Sequence, residues 1–238
     1  MTDLLLKKHD SWKMFNRIAN RYDLLNRLLS FGRDVAWRNL LTEQLPADKK
    51  MVVIDLATGT GDVLFDLLKK RSNIRYAVGI DPAWRMLTIG RQKSLKQPGA
   101  ALISFINGDA QQLGIKGKSV DAVTMAFGIR NVPDVTAAVR EMRRVLIGNG
   151  RLLILEFSLP GNRFIRAVYL IYFRFVLPMI GGLISGDAAA YRYLNRTVET
   201  FPYGEKFSDI LKSAGFAQVQ AMPLTFGVAT IYSAYNPS

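Results

Sequence analysis

Residues 52–62 read Val-Val-Ile-Asp-Leu-Ala-Thr-Gly-Thr-Gly-Asp, and residues 78–81 read Val-Gly-Ile-Asp. The first stretch continues an apolar strand from Met51 into a glycine turn, and a helical run, Val63-Leu64-Phe65-Asp66-Leu67-Leu68, follows. Ala57, Gly59 and Gly61 put almost no side chain in the way, so a ligand can lie against backbone there. The second stretch is a strand ending in an acid, which in that place accepts two hydrogen bonds from a ribose diol. Together they predict a nucleoside-binding crevice at the carboxyl ends of parallel strands.

The same residues choose between nucleosides. A dinucleotide fold asks for Gly-x-Gly-x-x-Gly, whereas Gly59-x-Gly61 is followed by Leu64. Asp55 would repel a pyrophosphate and attract a cationic sulfonium or ammonium, which favours S-adenosylmethionine over NAD. On this reading Thr58, Gly59, Thr60 and Gly61 pass beneath the amino-acid moiety, and Asp55 lies near its ammonium. Asp81 holds the ribose hydroxyls. Asn107-Gly108-Asp109-Ala110 closes the third strand, where Asp109 is placed either to accept from the adenine amino group or to serve as a turn acid.

Outward from this motif, strand and helix alternate. Strands are expected near 51–56, 75–80, 102–107, 120–126 and 151–157, and helices near 61–70, 83–95 and 134–147. Asp134 reads as an N-cap, with Val135, Ala138, Val139, Met142, Val145 and Leu146 on one face. This predicts an α/β, doubly wound, mostly parallel sheet. A helix over Phe207–Ala214 and strands near 216–222 and 228–235 close the chain as an antiparallel hairpin. Before the first strand, Trp12, Phe15, Ile18, Ala19 and Tyr22 share a helical stripe, and a second helix runs from about Asp34 through Trp37 to Pro46. The expected organisation is one methyl-donor-binding domain over 1–238, with a helical cap over 1–46 and an apolar insertion over 160–205. Within the insertion, Phe164–Ile184 is long enough to suggest a membrane span. Arg166 and Arg174 argue against one, and Pro178, Gly181 and Gly182 are expected to interrupt it. It reads as an apolar helix and loop that acts as a substrate lid, lies on a membrane or packs as core.

Composition narrows the chemistry. The chain has 238 residues, 49% hydrophobic, no cysteine and one histidine, His9. Disulfides, a thiolate nucleophile and histidine-rich metal sites are excluded, so no metal is expected. Met1–Asp10 lacks a leader-like apolar run, and a cytoplasmic location is the expectation. The net charge of +13 points to a polyanion, either nucleic acid or an anionic membrane surface.

The fourth strand ends Met125-Ala126-Phe127-Gly128-Ile129-Arg130-Asn131. The Asn-Pro-Pro-Tyr or Asp-Pro-Pro-Tyr of amino-methylating nucleic-acid enzymes is absent. Arg130 is a permanent cation. It suits either a phenolate oxygen formed during reaction or a surface salt bridge.

With these residues in view, the chain resembles the UbiE/MenG family of quinone C-methyltransferases. The resemblance runs through Met14-Phe15 to Arg21-Tyr22-Asp23, Leu29-Ser30-Phe31-Gly32, Trp37, Asp55 to Asp62, Phe127 to Val132, Gly150 to Ser158, Tyr191 to Leu194 and Ala214-Gly215-Phe216. The Phe-Gly-Ile-Arg-Asn run with Tyr-Asp upstream is family-specific, whereas the glycine motif alone is not. The resemblance implies a class I S-adenosylmethionine-dependent methyltransferase fold. It also implies methylation of a ring carbon on demethylmenaquinol, or on the methoxy-benzoquinol of ubiquinone synthesis. Family cofactor contacts carry over to Thr60, Asp81, Asp109 and Ala110. The family's serine after the fourth strand is Ala126 here, and its usual asparagine before Ala110 is Asp109.

A quinone ring carbon is electrophilic, so the reduced hydroquinone must be the acceptor, activated by loss of a hydroxyl proton. Tyr22, Asp23 or His9, or Arg130 with water, are the candidates to relay that proton, while Arg130 and Asn131 hold the developing phenolate. A prenylated quinol lives in a membrane, so peripheral association with an anionic membrane surface is expected. A homodimer is left open, and nucleic acid is not an expected partner. The competing readings are a methyltransferase of RNA or another soluble substrate, and a non-catalytic nucleoside-binding partner.

Overall fold

The computed structural model describes residues 8–185 and 187–238. The first seven residues of the expected cap and leader reading, and Gly186 of the expected insertion, lie outside the described residues.

The glycine-motif strand is β1 (Met51–Leu56), with β2 (Ile74–Asp81), β3 (Ile103–Asn107), β4 (Val120–Ala126), β5 (Leu146–Phe157), β6 (Ala217–Leu224) and β7 (Ala229–Tyr235). They form one seven-stranded sheet in the order β3-β2-β1-β4-β5-β7-β6. The first five run parallel, and β7 is antiparallel to both neighbours. The expected doubly wound sheet and terminal hairpin are both present. Strand order reverses between β1 and β4, and the crevice outside the carboxyl ends at such a switch point is where α/β sheets bind ligands. In register, Asp55 stands beside Gly79 and Asp81 beside Asn107, so the motif acids end adjacent strands on one edge.

Helices α1 (Ser11–Leu29) and α2 (Arg33–Glu43) precede the sheet, and α3 (Asp62–Lys70), α4 (Trp84–Ser94) and α5 (Val135–Val145) cover its faces. Asp134 caps α5 as its sequence predicts, its side chain accepting from the Ala137 amide at 2.9 Å. The strand after it starts earlier than expected, at Leu146, and takes in Gly148-Asn149-Gly150 with a register irregularity against β4. A Cβ at Gly150 would meet the Ile147 carbonyl oxygen at 2.9 Å, so the kink needs a glycine.

The insertion departs most from expectation. It comprises α6 (Arg163–Ile171), a π-helical turn at Tyr172–Val176, α7 (Leu177–Ser185) and a further helix, α8 (Ala188–Thr200); α9 (Glu205–Ser213) then leads into the hairpin. Pro178 and the glycines do not stop the helix. Proline lacks a donor and crowds the carbonyl four residues back. The wider turn just before it shifts the hydrogen-bond register there. No sequence expectation covered α8, whose start is capped by Asp187 accepting from the Ala190 amide at 3.1 Å. Leu25 and Met14 of α1 pack with Phe173, Leu177 and Tyr193, joining cap and insertion in one apolar cluster beside the sheet's end.

Candidate active site

Two hollows meet above the switch point. The first, about 460 Å³, is the crevice the sequence predicts: Ala57, Gly59, Asp81, Asp109, Ala110 and Ala126 are in its wall. Gly59 has φ +57°, and a Cβ there would approach only the Tyr22 ring, at 3.9 Å, so the crevice floor is bare backbone. Asp81 accepts from the Gly59 amide at 2.9 Å and from the Ala83 amide at 2.7 Å, one on each carboxylate oxygen. Each oxygen keeps a lone pair for one hydroxyl of a diol. Burial pushes the Asp81 carboxyl up to about 6, the two amides offsetting part of that. A bare floor, an acid with two free lone pairs and this volume fit S-adenosylmethionine.

Four motif residues predicted to touch the cofactor stand behind that wall. Asp55 is only 1% exposed and accepts from Thr124 Oγ1 at 2.7 Å, and burial raises it to about 7. Asp55 therefore lies beneath the loop and outside the crevice lining, with no direct contact to the ammonium that its sequence position suggests. The Thr58 side chain turns onto β2, where a Cβ at Gly79 would strike it. Thr60 donates to Asp23 at 2.6 Å. Gly61 packs on Phe65 and Phe105, with 2.9 Å to the nearest ring carbon for an added Cβ. These residues shape the turn instead of lining the crevice. Asp109 lines it, while its carboxylate also accepts from the Gln111 amide at 2.9 Å, so its turn role is present as well.

The second hollow, about 450 Å³, is mainly apolar, with Ile18, Leu25, Leu29, Phe173 and Leu177 among its lining. Phe15, Tyr22, Phe127 and Asn131 line both hollows and form the partition between them. Phe127 sits at φ +57°, sparsely populated for a bulky residue, and its ring lies 4.5 Å from that of Phe157. Such strain persists only where surroundings hold it. Of the three predicted catalytic residues, Tyr22 and Asn131 are therefore on the partition and Arg130 is on the wall of the second hollow.

Arg130 is buried, not on the surface. Its Nη1 donates to Glu156 Oε1 and to the Phe127 carbonyl, both at 2.6 Å. Glu156, fully buried on β5, also accepts from the Arg130 and Phe157 amides. Burial raises the Tyr22 phenol, against the opposing pull of Arg130 and Arg38, so at neutral pH it is a donor. Asp23 lines neither hollow: Thr60 and Lys93 hold it, and Lys93 also pairs with Asp62 at 2.6 Å. Arg38 continues the chain of charge from Asp62 to Asp34. This network bolts α1 and α2 to the glycine turn. Asp23 is thereby committed to holding the turn, and His9 lines only the cofactor crevice. Sequence reading missed Phe15, Glu156, Asp34, Arg38 and Lys93. Glu156 had a signal, since an acid inside Leu152–Phe157 must find a partner.

Known proteins place this arrangement. The family model of the ubiE/COQ5 methyltransferase family matches residues 4–236. A demethylmenaquinone methyltransferase of Thermus thermophilus is 45% identical over 94% of this chain and 100% of its own. A ubiquinone/menaquinone biosynthesis C-methyltransferase UbiE of Geotalea uraniireducens is 42% identical over 92% of this chain and 93% of its own. Among solved structures, an S-adenosylmethionine-dependent methyltransferase of Thermotoga maritima superposes with TM-score 0.66 at 20% identity, covering 94% of this chain and 99% of that one. Haemonchus contortus phosphoethanolamine N-methyltransferase 2, in complex with S-adenosylhomocysteine, gives 0.62 at 14% identity over 84% of this chain and 52% of that one. These structural likenesses concern the fold alone. By sequence, fold and crevice, the chain belongs to the ubiE/COQ5 methyltransferase family and is a class I S-adenosylmethionine-dependent methyltransferase.

Proposed function

We propose that the protein methylates a ring carbon of a prenylated hydroquinone, demethylmenaquinol being the preferred acceptor, in menaquinone or ubiquinone biosynthesis. The observation that carries this reading is the partition of Phe15, Tyr22, Phe127 and Asn131 between a nucleoside crevice and an apolar hollow. S-adenosylmethionine supplies a methyl group on a sulfonium, which leaves as a neutral thioether. The flat ring of the acceptor lies in the apolar hollow with its reacting carbon at the partition. Loss of a hydroxyl proton sends charge into the ring. An electron pair of the ring carbon forms the new C–C bond, and that carbon then releases its hydrogen as a proton. Arg130, Asn131 and Tyr22 bind and orient the oxygens. Arg130 has its charge balanced by Glu156, so it acts as an aimed donor and not as a free cation. Asp34, the one carboxylate among the described residues of this hollow, is held by Arg38 and Ser30, so the proton leaves through water.

A lipid acceptor places the enzyme at a membrane. Support comes from the helix over 163–185. Phe164, Val168, Ile171, Phe175, Met179 and Leu183 recur every three or four residues and are 54–82% exposed. Between Glu156 and Asp187 there are three arginines and no acid, which suits an anionic lipid surface. Arg163–Gly181 has the length and hydropathy of a membrane-crossing helix. Its packing on α1 and α8 and its one-sided exposure favour lying in the interface. At its inner side Phe31 meets Tyr172, ring centroids 5.7 Å apart, and both line the apolar hollow, so that hollow opens beside the exposed stripe.

The test is transfer of labelled methyl from S-adenosylmethionine to reduced demethylmenaquinol, to the methoxy-benzoquinol and to bulk RNA, each in detergent. Label in one quinol is expected. Label in RNA alone would overturn the reading.

A further inference from the structure

The apolar hollow holds polar atoms that no hydrogen bond explains. Five lining residues have a buried polar atom with no hydrogen-bond partner: Arg38 Nε, Arg130 Nε, Asn131 Oδ1 and the Tyr169 and Tyr193 hydroxyls. Arg38 is held by Asp34 and Asp62, and Ser11 stands against the Tyr193 phenol, which leaves Arg130 Nε, Asn131 Oδ1 and the Tyr169 hydroxyl for a ligand. Leaving a buried polar group unpaired is costly. Several around one cavity mark groups that a ligand satisfies. Two are donors and one, the amide oxygen, is an acceptor. That is the complement of a ring bearing one oxyanion and one hydroxyl.

The local structure leaves these atoms little else to do. Arg130 Nη1 is committed to Glu156 and Phe127, while Nε is not. The Asn131 amide nitrogen reaches the Phe127 carbonyl at 3.5 Å, leaving its oxygen unpaired. Tyr169, on α6, stacks on Phe173 with centroids 5.2 Å apart and planes 22° apart, a packing that a phenylalanine would serve equally well. Its phenol is pushed up by burial against the opposing influence of Arg130, and so stays protonated and able to donate.

We propose that Tyr169 is a substrate-binding residue whose hydroxyl donates a hydrogen bond to the ring oxygen that becomes the phenolate, beside Arg130 Nε. Asn131 Oδ1 accepts from the hydroxyl that keeps its proton. The apolar insertion thereby contributes to activation of the acceptor as well as to holding its tail. This rests on a phenolic acceptor occupying the hollow.

Tyr169→Phe preserves the stack on Phe173 and removes only the donor. A hydrogen bond to a charged group contributes about 1.5–3 kcal/mol, so kcat is expected to fall roughly tenfold to a hundredfold. Affinity for S-adenosylmethionine should not change. Because the lost donor favours the phenolate, the acid limb of the kcat profile should move to higher pH. A second measurement needs no turnover: 1-naphthol bound to the protein, titrated by naphtholate absorbance, should ionise at lower pH in the wild type than in Tyr169→Phe. An unchanged kcat and pH limb, equal naphthol titrations, or turnover lost only in step with cofactor affinity would each overturn the assignment. Failure of the wild type to methylate any hydroquinone would instead overturn the proposed function, and the naphthol titration would still decide the role of Tyr169.

Discussion

Arg130 and Glu156 form an ion pair whose side chains are 6% and 0% exposed. Breaking a buried pair strands a charge and costs about 3–5 kcal/mol, whereas replacing both partners by apolar groups is often neutral. Glu156→Ala is therefore expected to destabilise the protein by about 3 kcal/mol or more, read by urea denaturation. The double variant Arg130→Met/Glu156→Leu should recover most of that stability and still lack turnover. A double variant with normal turnover would remove Arg130 from the reaction. Asp81 makes a pH-dependent prediction. Its folded value of about 6 lies above the ordinary carboxylate range. The folded state therefore binds the proton first, and the stability cost of burying the charge is present above pH 6 and disappears as pH falls toward 4. A diol is better held by the ionised form. Affinity for S-adenosylmethionine, measured by calorimetry, should therefore rise from pH 5 to pH 7, and that rise should vanish in Asp81→Asn. Equal affinity in Asp81→Asn and wild type would sink the ribose assignment.

At the scale of elements, the alternating core was legible because apolar runs and caps carry their own signals. Strand β1 and its turn, the Asp134 cap and the terminal hairpin all follow from local sequence. The insertion was not legible in the same way. Pro178 normally marks a break, and only the π-helical turn ahead of it lets the helix continue. Helix α8 hid because its buried Ala190, Tyr193 and Val198 join an apolar cluster shared with α1 and α7, packing that no local period announces. The exposed stripe makes a prediction at this scale. Phe164→Ser, Phe175→Ser and Leu183→Ser together should weaken binding to anionic liposomes at least about tenfold, since each large apolar side chain contributes about 1.5–3 kcal/mol when fully buried. Thermal stability should be nearly unchanged, because all three side chains are more than two-thirds exposed. Arg174 is a poorer probe of lipid contact than Arg166, since it is already paired with Glu199. Liposome binding equal to wild type would contradict the membrane-facing assignment.

For the whole molecule, function comes from bringing a helical cap over a standard sheet. The sheet end supplies Gly59, Asp81 and Ala126; the cap supplies Phe15 and Tyr22; the strand-four turn supplies Phe127 and Asn131. Tyr22, Arg130 and Asn131 were readable as candidates because a tyrosine before an acid and an arginine-asparagine pair after a strand carry chemistry. That Phe15 and Phe127 complete a partition was not readable, since it depends on α1 docking through Asp23, Lys93 and Asp62. The same docking explains why Asp23, a plausible relay on sequence, is a fastener in the fold. On the proposed function a reduced ring, and no other state of the acceptor, receives the methyl group at carbon. The most direct measurement is a single turnover with isotope-labelled S-adenosylmethionine and a prenylated naphthoquinone presented oxidised or chemically reduced, with the product read by NMR. A labelled methyl on a ring carbon is expected with the reduced acceptor and none with the oxidised one. Label on oxygen, or equal incorporation in both redox states, would contradict the proposed function.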